Sequence, residues 1–471
     1  MIGQDLAAEV LRAALARGGD GAELYLEKTS SMALKLDGGR IEDATAGVDQ
    51  GAGLSLIDRD RTLYANGNGL DADALMRLAD KLARAQGASH PQTPEPVAVS
   101  APPIAFEPRP LHLVSPVITP ASTVSVERKV DIVRRADAAA RAFDPRVTQV
   151  TVQYRDTEQH VLVADSDGSW GSEIRCHVVL HVTAVARQGE DIRTGMEARS
   201  ETRGFEFFDR HLPEDIAREA ARQAVLQLSA RPAPSGSFTV VLSSKAGGTM
   251  VHEACGHGLE ADFILKSMSV YSGKVGQQVA SPLLTVVDDG TLPNRRGSSS
   301  MDDEGIPTTR AVLIDKGVLR GFLHTRRTAR LLKMRPTGHG RRESYRHLPI
   351  PRMRNTLILP GERSAQSILA EVKDGILVCR MGGGEVDVAS GNFVFSCSEA
   401  YRIRDGRIAE PIRDATLIGN GPEVMKSIDR VGTDLGFGVG TCGKEGQGVP
   451  VSNAQPTLRI PRITVGGTAT A

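Results

Sequence analysis

FTVVLSSKAGGTMVHEACGHGLEADF, residues 238–263, joins a β-branched apolar run to a segment carrying two histidines and a glutamate. Phe238 to Leu242 has the composition of a buried strand, and Ser243 or Ser244 can cap the helix that follows. Histidine is the commonest metal ligand among side chains, and a glutamate beside a ligand can take a proton from activated water, so His252, Glu253 and His257 are candidate zinc ligands and general base. Their spacing is HExxxH. At 3.6 residues per turn an i,i+4 pair lies about 40° apart around the axis, whereas an i,i+5 pair lies about 140° apart. A regular helix would therefore point these imidazoles in different directions. Convergence on one ion needs a π-bulge or a break after His252, and Gly256 and Gly258 make either inexpensive.

Two protein ligands are too few for a catalytic zinc, which usually takes three and a water. The residues leave the third donor open among Cys442, in the glycine-rich GTCGKEGQG at 440–448, the nearby Cys255 and Glu260, and the remaining histidines.

Outward from this stretch, ARPAPSGS at 230–237 has the composition of a domain boundary. It divides the chain into an N-terminal domain, 1–234, and a C-terminal domain, 235–471. The C-terminal half is a series of strand-like runs, with DKGVLRG at 315–321 and RDGRIAE at 404–410 as hairpin turns. A β-rich domain, barrel-like or sandwich-like, with one metal-site helix is expected there. In the N-terminal half, helical spacing over 5–17, 71–86, 125–143 and 213–229 alternates with short apolar runs such as AELYLEK, MALKLD, GAGLSLID and TLYANG. An antiparallel sheet covered by helices is expected, with the second helix closed by Gly87. Nine of the 25 prolines fall between Pro91 and Pro120, predicting an extended connection within this domain. Residues 34–66 and 160–195 share a plan of strand, Asp/Gly turn and further strands. The fold class is thus α+β.

Lys plus Arg equals Asp plus Glu at 57 each, with no long basic run, which argues against nucleic acid or anionic lipid as partner. The N-terminal segment lacks a basic leader with an apolar core, and the longest apolar stretches, such as 178–186, fall short of the ~20 residues of a membrane helix. A cytoplasmic location is expected. Cys176, Cys255, Cys379, Cys397 and Cys442 are scattered and form no CxxC pair, so neither a disulfide framework nor a closed zinc knot is indicated.

Six strings in the second half, VHEACGHGLEADF, LLTVVDDGTLPNRRGSSSMDDEGIPT, PTGHGRRESYRHLPIPRMRNT, GGGEVDVASGNFVFSCSEAY, ATLIGNGPEVM and GTCGKEGQGVPVSNAQPTLRI, together resemble the TldD/PmbA family of peptidases in its TldD-like branch. The first half is similar more loosely. The resemblance implies a metallopeptidase with one zinc per catalytic chain on His252, His257 and the thiolate of Cys442, and with Glu253 as general base. Family members commonly carry an aliphatic residue at Cys255, which favours Cys442. Dimers are also implied, either of identical chains or with a metal-free PmbA-like paralogue, acting on unfolded peptides or leader peptides.

Tyr345 and His347 are candidate substrate contacts that could stabilise an oxyanion. Arg341 and Arg342 could orient a substrate carboxylate or form structural ion pairs. RMGGGEVDV at 380–388 suggests either close backbone approach to a neighbouring chain or a strand-like peptide, or a plain turn. The alternative function is a non-catalytic peptide-binding subunit of the same kind of complex.

Overall fold

The computed structural model describes residues 1–89, 104–109 and 111–468. Much of the proline-rich connection lies outside the described residues; its described part is irregular apart from a two-residue strand, Glu107–Pro108.

The first half is one sheet with helices on one face, antiparallel except where the two-residue strand Glu107–Pro108 pairs in parallel. α1 (Gln4–Ala14) leads into β1 (Gly21–Asp37), β2 (Arg40–Asp58), β3 (Arg61–Gly67) and α2 (Ala72–Ser89); α3 (Val126–Arg141) leads into β4 (Val147–Asp165), β5 (Ser169–Gln188), β6 (Asp191–Thr202) and α4 (Pro213–Ser229). The same helix, three-strand meander, helix plan therefore occurs twice. The two meanders join through β1 and β4, which pair antiparallel from Glu23↔Asp165 to Asp37↔Thr151. Even-numbered residues of β1 share one face because side chains alternate along a strand. At one end Ala22, Leu24 and Leu26 pack under α1 and α2; at the other Met32, Leu34 and Leu36 pack under α3 and α4. The opposite face presents Tyr25, Val161 and Val163 to Met301 and Tyr345 of the second half.

The separate runs AELYLEK and MALKLD are one 17-residue strand, and β2 is likewise continuous over 19 residues. The polar stretch Thr29–Ser31 stays in the ladder because β2 and β4 satisfy its backbone from both sides. Gly87 does not end α2, which runs on to Ser89. A Cβ there would sit 2.9 Å from Cδ of the exposed Arg17, a flexible side chain that can move aside.

In the second half the strands Asp374–Val386, Gly236–Leu242, Leu458–Gly466, Ala415–Asn420 and Asn392–Arg404 follow one another around a closed five-stranded barrel, sealed by pairing of the last with the first. The chain is accordingly α+β with a barrel, as the patterning predicted. Beside it lies a six-stranded sheet in the order Val318–Leu319, Arg310–Asp315, Val286–Asp289, Asn355–Ile358, Gln447–Gln455, Gly436–Lys444. Both expected hairpins form: Lys316 and Gly317, then Asp405 and Gly406, all have positive φ, as two-residue turns of this hand require. Within the GGG run, a Cβ on Gly384 would lie 1.9 Å from the Phe395 ring, so the close approach there is to this chain's own neighbouring strand. Short helices at Arg326–Leu332, Ala365–Ala370 and Gly421–Ser427 accompany the metal-site segment, which is thus not the only helical piece of this half.

The seam between the halves carries buried ion pairs, Arg342–Glu23 at 2.9 Å, Arg175–Asp303 at 2.5 Å and Arg326–Asp165 at 2.6 Å. A cavity of about 560 Å³ opens along this seam, lined among others by Glu23, Ser55, Glu304, Arg326 and Ile350. Among the described residues, no helix is long and apolar enough to cross a membrane.

One backbone feature sets where the metal-site segment begins. Gly247 and Gly248 have φ of +71° and +79°, and a Cβ on Gly248 would meet Ala454 N at 2.5 Å. Gly438 N donates to Gly247 O at 3.2 Å, docking the segment onto the strand that carries Cys442. Gly248→Ala is expected to destabilise the fold by about 1–3 kcal/mol through strain and to lower the melting midpoint by roughly 2–10 °C in calorimetry. An unchanged midpoint would show that this turn tolerates a side chain.

Candidate metal centre

Ser243 caps only a short 3₁₀ turn, Ser244–Ala246, and the helical segment starts after Gly248. Thr249–Val251 is α-helical, His252–Gly256 is π-helical, and His257–Leu259 is 3₁₀. The distortion required by the HExxxH spacing is therefore present between the two histidines. A π-turn bonds i to i+5, so it returns residue 257 to the side of residue 252. The His252 and His257 rings stand with centroids 5.0 Å apart and planes at 84°.

What holds this irregular segment is burial on one side and side-chain hydrogen bonds on the other. Met250, Val251, Ala254, Cys255 and Leu259 belong to the same apolar core as Val240, Leu242, Ile376, Phe393 and Leu417 of the barrel. The Tyr271 hydroxyl donates to Ala254 O at 3.3 Å, and Ser269 Oγ donates to Gly258 O at 2.6 Å, satisfying carbonyls that a regular helix would pair internally. A Cβ on Gly256 would lie 2.1 Å from Met353 Sδ, so only glycine fits at that point of the π-turn.

Cys442 reaches the same place from the strand Gly436–Lys444. Its Sγ lies 3.3 Å from His252 Nε2 and 3.5 Å from His257 Nε2. All three ligand atoms lie within 4.8 Å of one another. With Zn–N near 2.05 Å and Zn–S near 2.3 Å, a tetrahedral ion separates N and S ligands by about 3.6 Å. The donor set and its spacing thus fit a zinc-sized ion with three protein ligands, one of them a thiolate.

The electrostatics agree. Burial pushes the Cys442 thiol up, but hydrogen bonds from His252 and His257 outweigh it and bring the group down to about 5. Burial alone pushes Cys255 and Cys397 to about 12, and burial with nearby carboxylates pushes Cys176 to about 12 and Cys379 to about 11. His257 is pulled down by burial yet held well above the ordinary histidine range by Glu260 and Cys442.

Glu253 lies at the rim, with its side chain 24 % exposed and its Oε2 3.9 Å from His257 Nε2. That separation exceeds a hydrogen bond.

The other third-ligand candidates take different parts. Cys255 is buried in the barrel core and donates to Val251 O at 3.3 Å. Glu260 is on the far side of His257, accepting from Nδ1 at 3.0 Å. Tyr345 N donates to Glu27 and its hydroxyl to Asp49 at 3.2 Å, which ties it to the first-half sheet. His347 Nδ1 pairs with Ser344 Oγ at 3.2 Å. Neither Tyr345 nor His347 hydrogen-bonds to the three ligands. Arg341 donates to Met353 O and Pro450 O, and Arg342 pairs with Glu23, so both are structural.

Sequence reasoning passed over Arg352 and Lys444. Arg352 is fully buried and donates to the carbonyl of Cys442 and, at 3.1 Å, to that of Gln447. Lys444 shares a strand face with Cys442, a signal available from the period of two once that strand is recognised.

Models of the PmbA/TldA metallopeptidase family match almost the whole chain: domain 1 over 22–86, the central domain over 119–228 and the C-terminal domain over 235–467. The chain belongs to the TldD/PmbA metallopeptidase family. A metalloprotease TldD homolog of Haemophilus influenzae is 39 % identical over 461 residues, covering 95 % of this chain and 93 % of its own. A zinc metalloprotease TldD homolog of Saccharolobus solfataricus is 28 % identical over 72 % of this chain and 76 % of its own. Among solved structures, TldE from Thermococcus kodakarensis superposes with a TM-score of 0.76 at 18 % identity, covering 98 % of this chain and all of that one, a likeness of fold.

In the metal-free protein, thiolate absorbance is expected to titrate for one cysteine near pH 5, present above that pH and lost as the pH falls below it. Cys442→Ser should remove that transition and weaken zinc binding by about 100-fold or more in a chelator competition, while Cys255→Ser leaves both unchanged. Retention of tight zinc binding by Cys442→Ser would exclude the sulfur as a ligand.

Proposed function

We propose that the chain is a zinc-dependent peptidase that hydrolyses unfolded or leader peptides, with Glu253 as general base. The observation that carries this reading is the convergence of His252 Nε2, His257 Nε2 and Cys442 Sγ with the Glu253 carboxylate alongside. A zinc ion held by these three residues supplies Lewis-acid activation of a water and of the substrate carbonyl.

Glu253 then does the proton work. Its carboxylate takes a proton from the attacking water and hands it to the departing amine, so one residue serves as base and then as acid. Its half-buried side chain at the rim allows it to meet both. The barrel core behind the π-turn keeps the two imidazoles from following the substrate. Of the two residues in the RRESYRHLP string, Tyr345 braces the seam through Asp49 and Glu27, leaving His347 as the one able to contact substrate.

The domain division at about 235, with the metal-binding machinery confined to the second unit, belongs to this reading. So does a dimeric partner, either an identical chain or a metal-free paralogue. A cytoplasmic site of action is supported by five free cysteines, which a reducing compartment preserves.

The test is cleavage of an unfolded peptide by the zinc-loaded protein. Glu253→Gln is expected to lower kcat by about 10²–10⁴-fold while zinc stays bound at one per chain. Chelation should abolish cleavage and added zinc restore it. If the wild-type protein binds peptide and zinc yet cleaves nothing, alone or with its paralogue, the non-catalytic peptide-binding subunit is the correct reading.

A further inference from the structure

Lys444 lies two residues beyond Cys442 on the same strand, so both side chains leave the same face. Its ammonium is buried, and each of its three protons has an acceptor: Glu260 Oε2 at 3.1 Å, Asp262 Oδ1 at 2.7 Å and Pro351 O at 3.2 Å. Glu260 Oε2 is also the atom that accepts from His257 Nδ1 at 3.0 Å. The Glu260 side chain is 0 % exposed. A carboxylate so placed is tolerable only beside a cation and good donors, and Lys444 supplies the cation.

These contacts close a ring. From Cys442 the chain runs two residues to Lys444, whose ammonium holds Glu260; Glu260 holds His257, and His257 Nε2 returns to within 3.5 Å of Cys442 Sγ. His252 has no such support, since its Nδ1 is buried without a partner. Only one of the two imidazoles is therefore oriented by a carboxylate.

We propose that Glu260 and Lys444 are positioning residues for the metal centre, an inference that rests on the His252, His257 and Cys442 ligand set. Glu260 keeps the His257 proton on Nδ1, so that the lone pair of Nε2 faces the ion, and it fixes the ring angle. Lys444 ties Glu260 to the strand that delivers the sulfur. The helix-borne and strand-borne ligands are thereby set relative to each other by a salt bridge as well as by the backbone.

Zinc affinity by chelator competition tests this, with cobalt substitution reporting the ligand field and circular dichroism reporting the fold. Glu260→Ala and Lys444→Met are each expected to weaken zinc binding by about 10–100-fold while the thiolate-to-cobalt absorption persists, because all three ligands remain. Glu260→Gln, whose carbonyl can still accept from Nδ1, and Lys444→Arg should recover part of the loss. The Glu260→Ala, Lys444→Met double variant should be little worse than the weaker single, since the two act as one unit.

Folded Glu260→Ala and Lys444→Met proteins that match the wild-type affinity would overturn the proposal while leaving the ligand set intact. Should either fail to fold, Glu260→Gln and Lys444→Arg decide it: affinity and cobalt spectrum both equal to wild type in the two would overturn it. Failure of the wild-type chain to bind zinc, or an unchanged affinity in Cys442→Ser, would instead remove the ligand set beneath it.

Discussion

One extra residue in a helical turn governs this molecule's site. With His252 and His257 five apart, only the π-turn between them brings both Nε2 atoms to one side, and that turn is unstable by itself. Its geometry survives because one side is buried in the barrel core and because Tyr271 and Ser269 occupy carbonyls left without helical partners. Gly256 is indispensable for a related reason: Met353 sulfur fills the place where any other side chain would begin.

The second requirement is that the sulfur arrive from a different element at the right depth. Cys442 sits on an edge strand, and an edge strand has ladder support on one side only. The structure compensates with arginines. Arg352 holds the Cys442 carbonyl, and Arg296 donates to Gly440 O at 3.1 Å and to Ser200 Oγ of the first-half sheet at 2.6 Å. The N-terminal half thus reaches the His252, His257 and Cys442 cluster physically, through a guanidinium that links its last strand to the backbone two residues before Cys442. The buried ion pairs along the seam serve the same joining purpose, although such pairs fix relative position more than they add stability.

A good deal of the fold was legible in order of residues. Pro213 to Ser229 is a helix with the expected bounds, the helix expected over 125–143 forms at Val126–Arg141, and both glycine-containing hairpin turns form where local φ preferences put them. These are short-range effects, decided by neighbours in the chain. The errors have the opposite character. The polar breaks in β1 and β2 looked like turns, yet β1 stays extended by pairing with β4, more than 100 residues away, and β2 stays extended by pairing along β1. Gly87 looked like a stop, yet the helix continues past it to Ser89.

By itself the sequence determined which chemistry is possible: two imidazoles and a carboxylate at a spacing that demands a broken helix, in a chain with several free thiols and no charge pattern suited to nucleic acid. It could not choose among Cys442, Cys255 and Glu260 from spacing, because that choice depends on which side of His257 each group occupies. Tertiary structure separates the three, sending Cys255 into the barrel core, Glu260 to Nδ1 of His257 and Cys442 to its Nε2. The physical reason is range: helix geometry is written in contacts a few residues apart, whereas the meeting of residues 257 and 442 exists only once a barrel and a sheet have packed around the turn between the histidines.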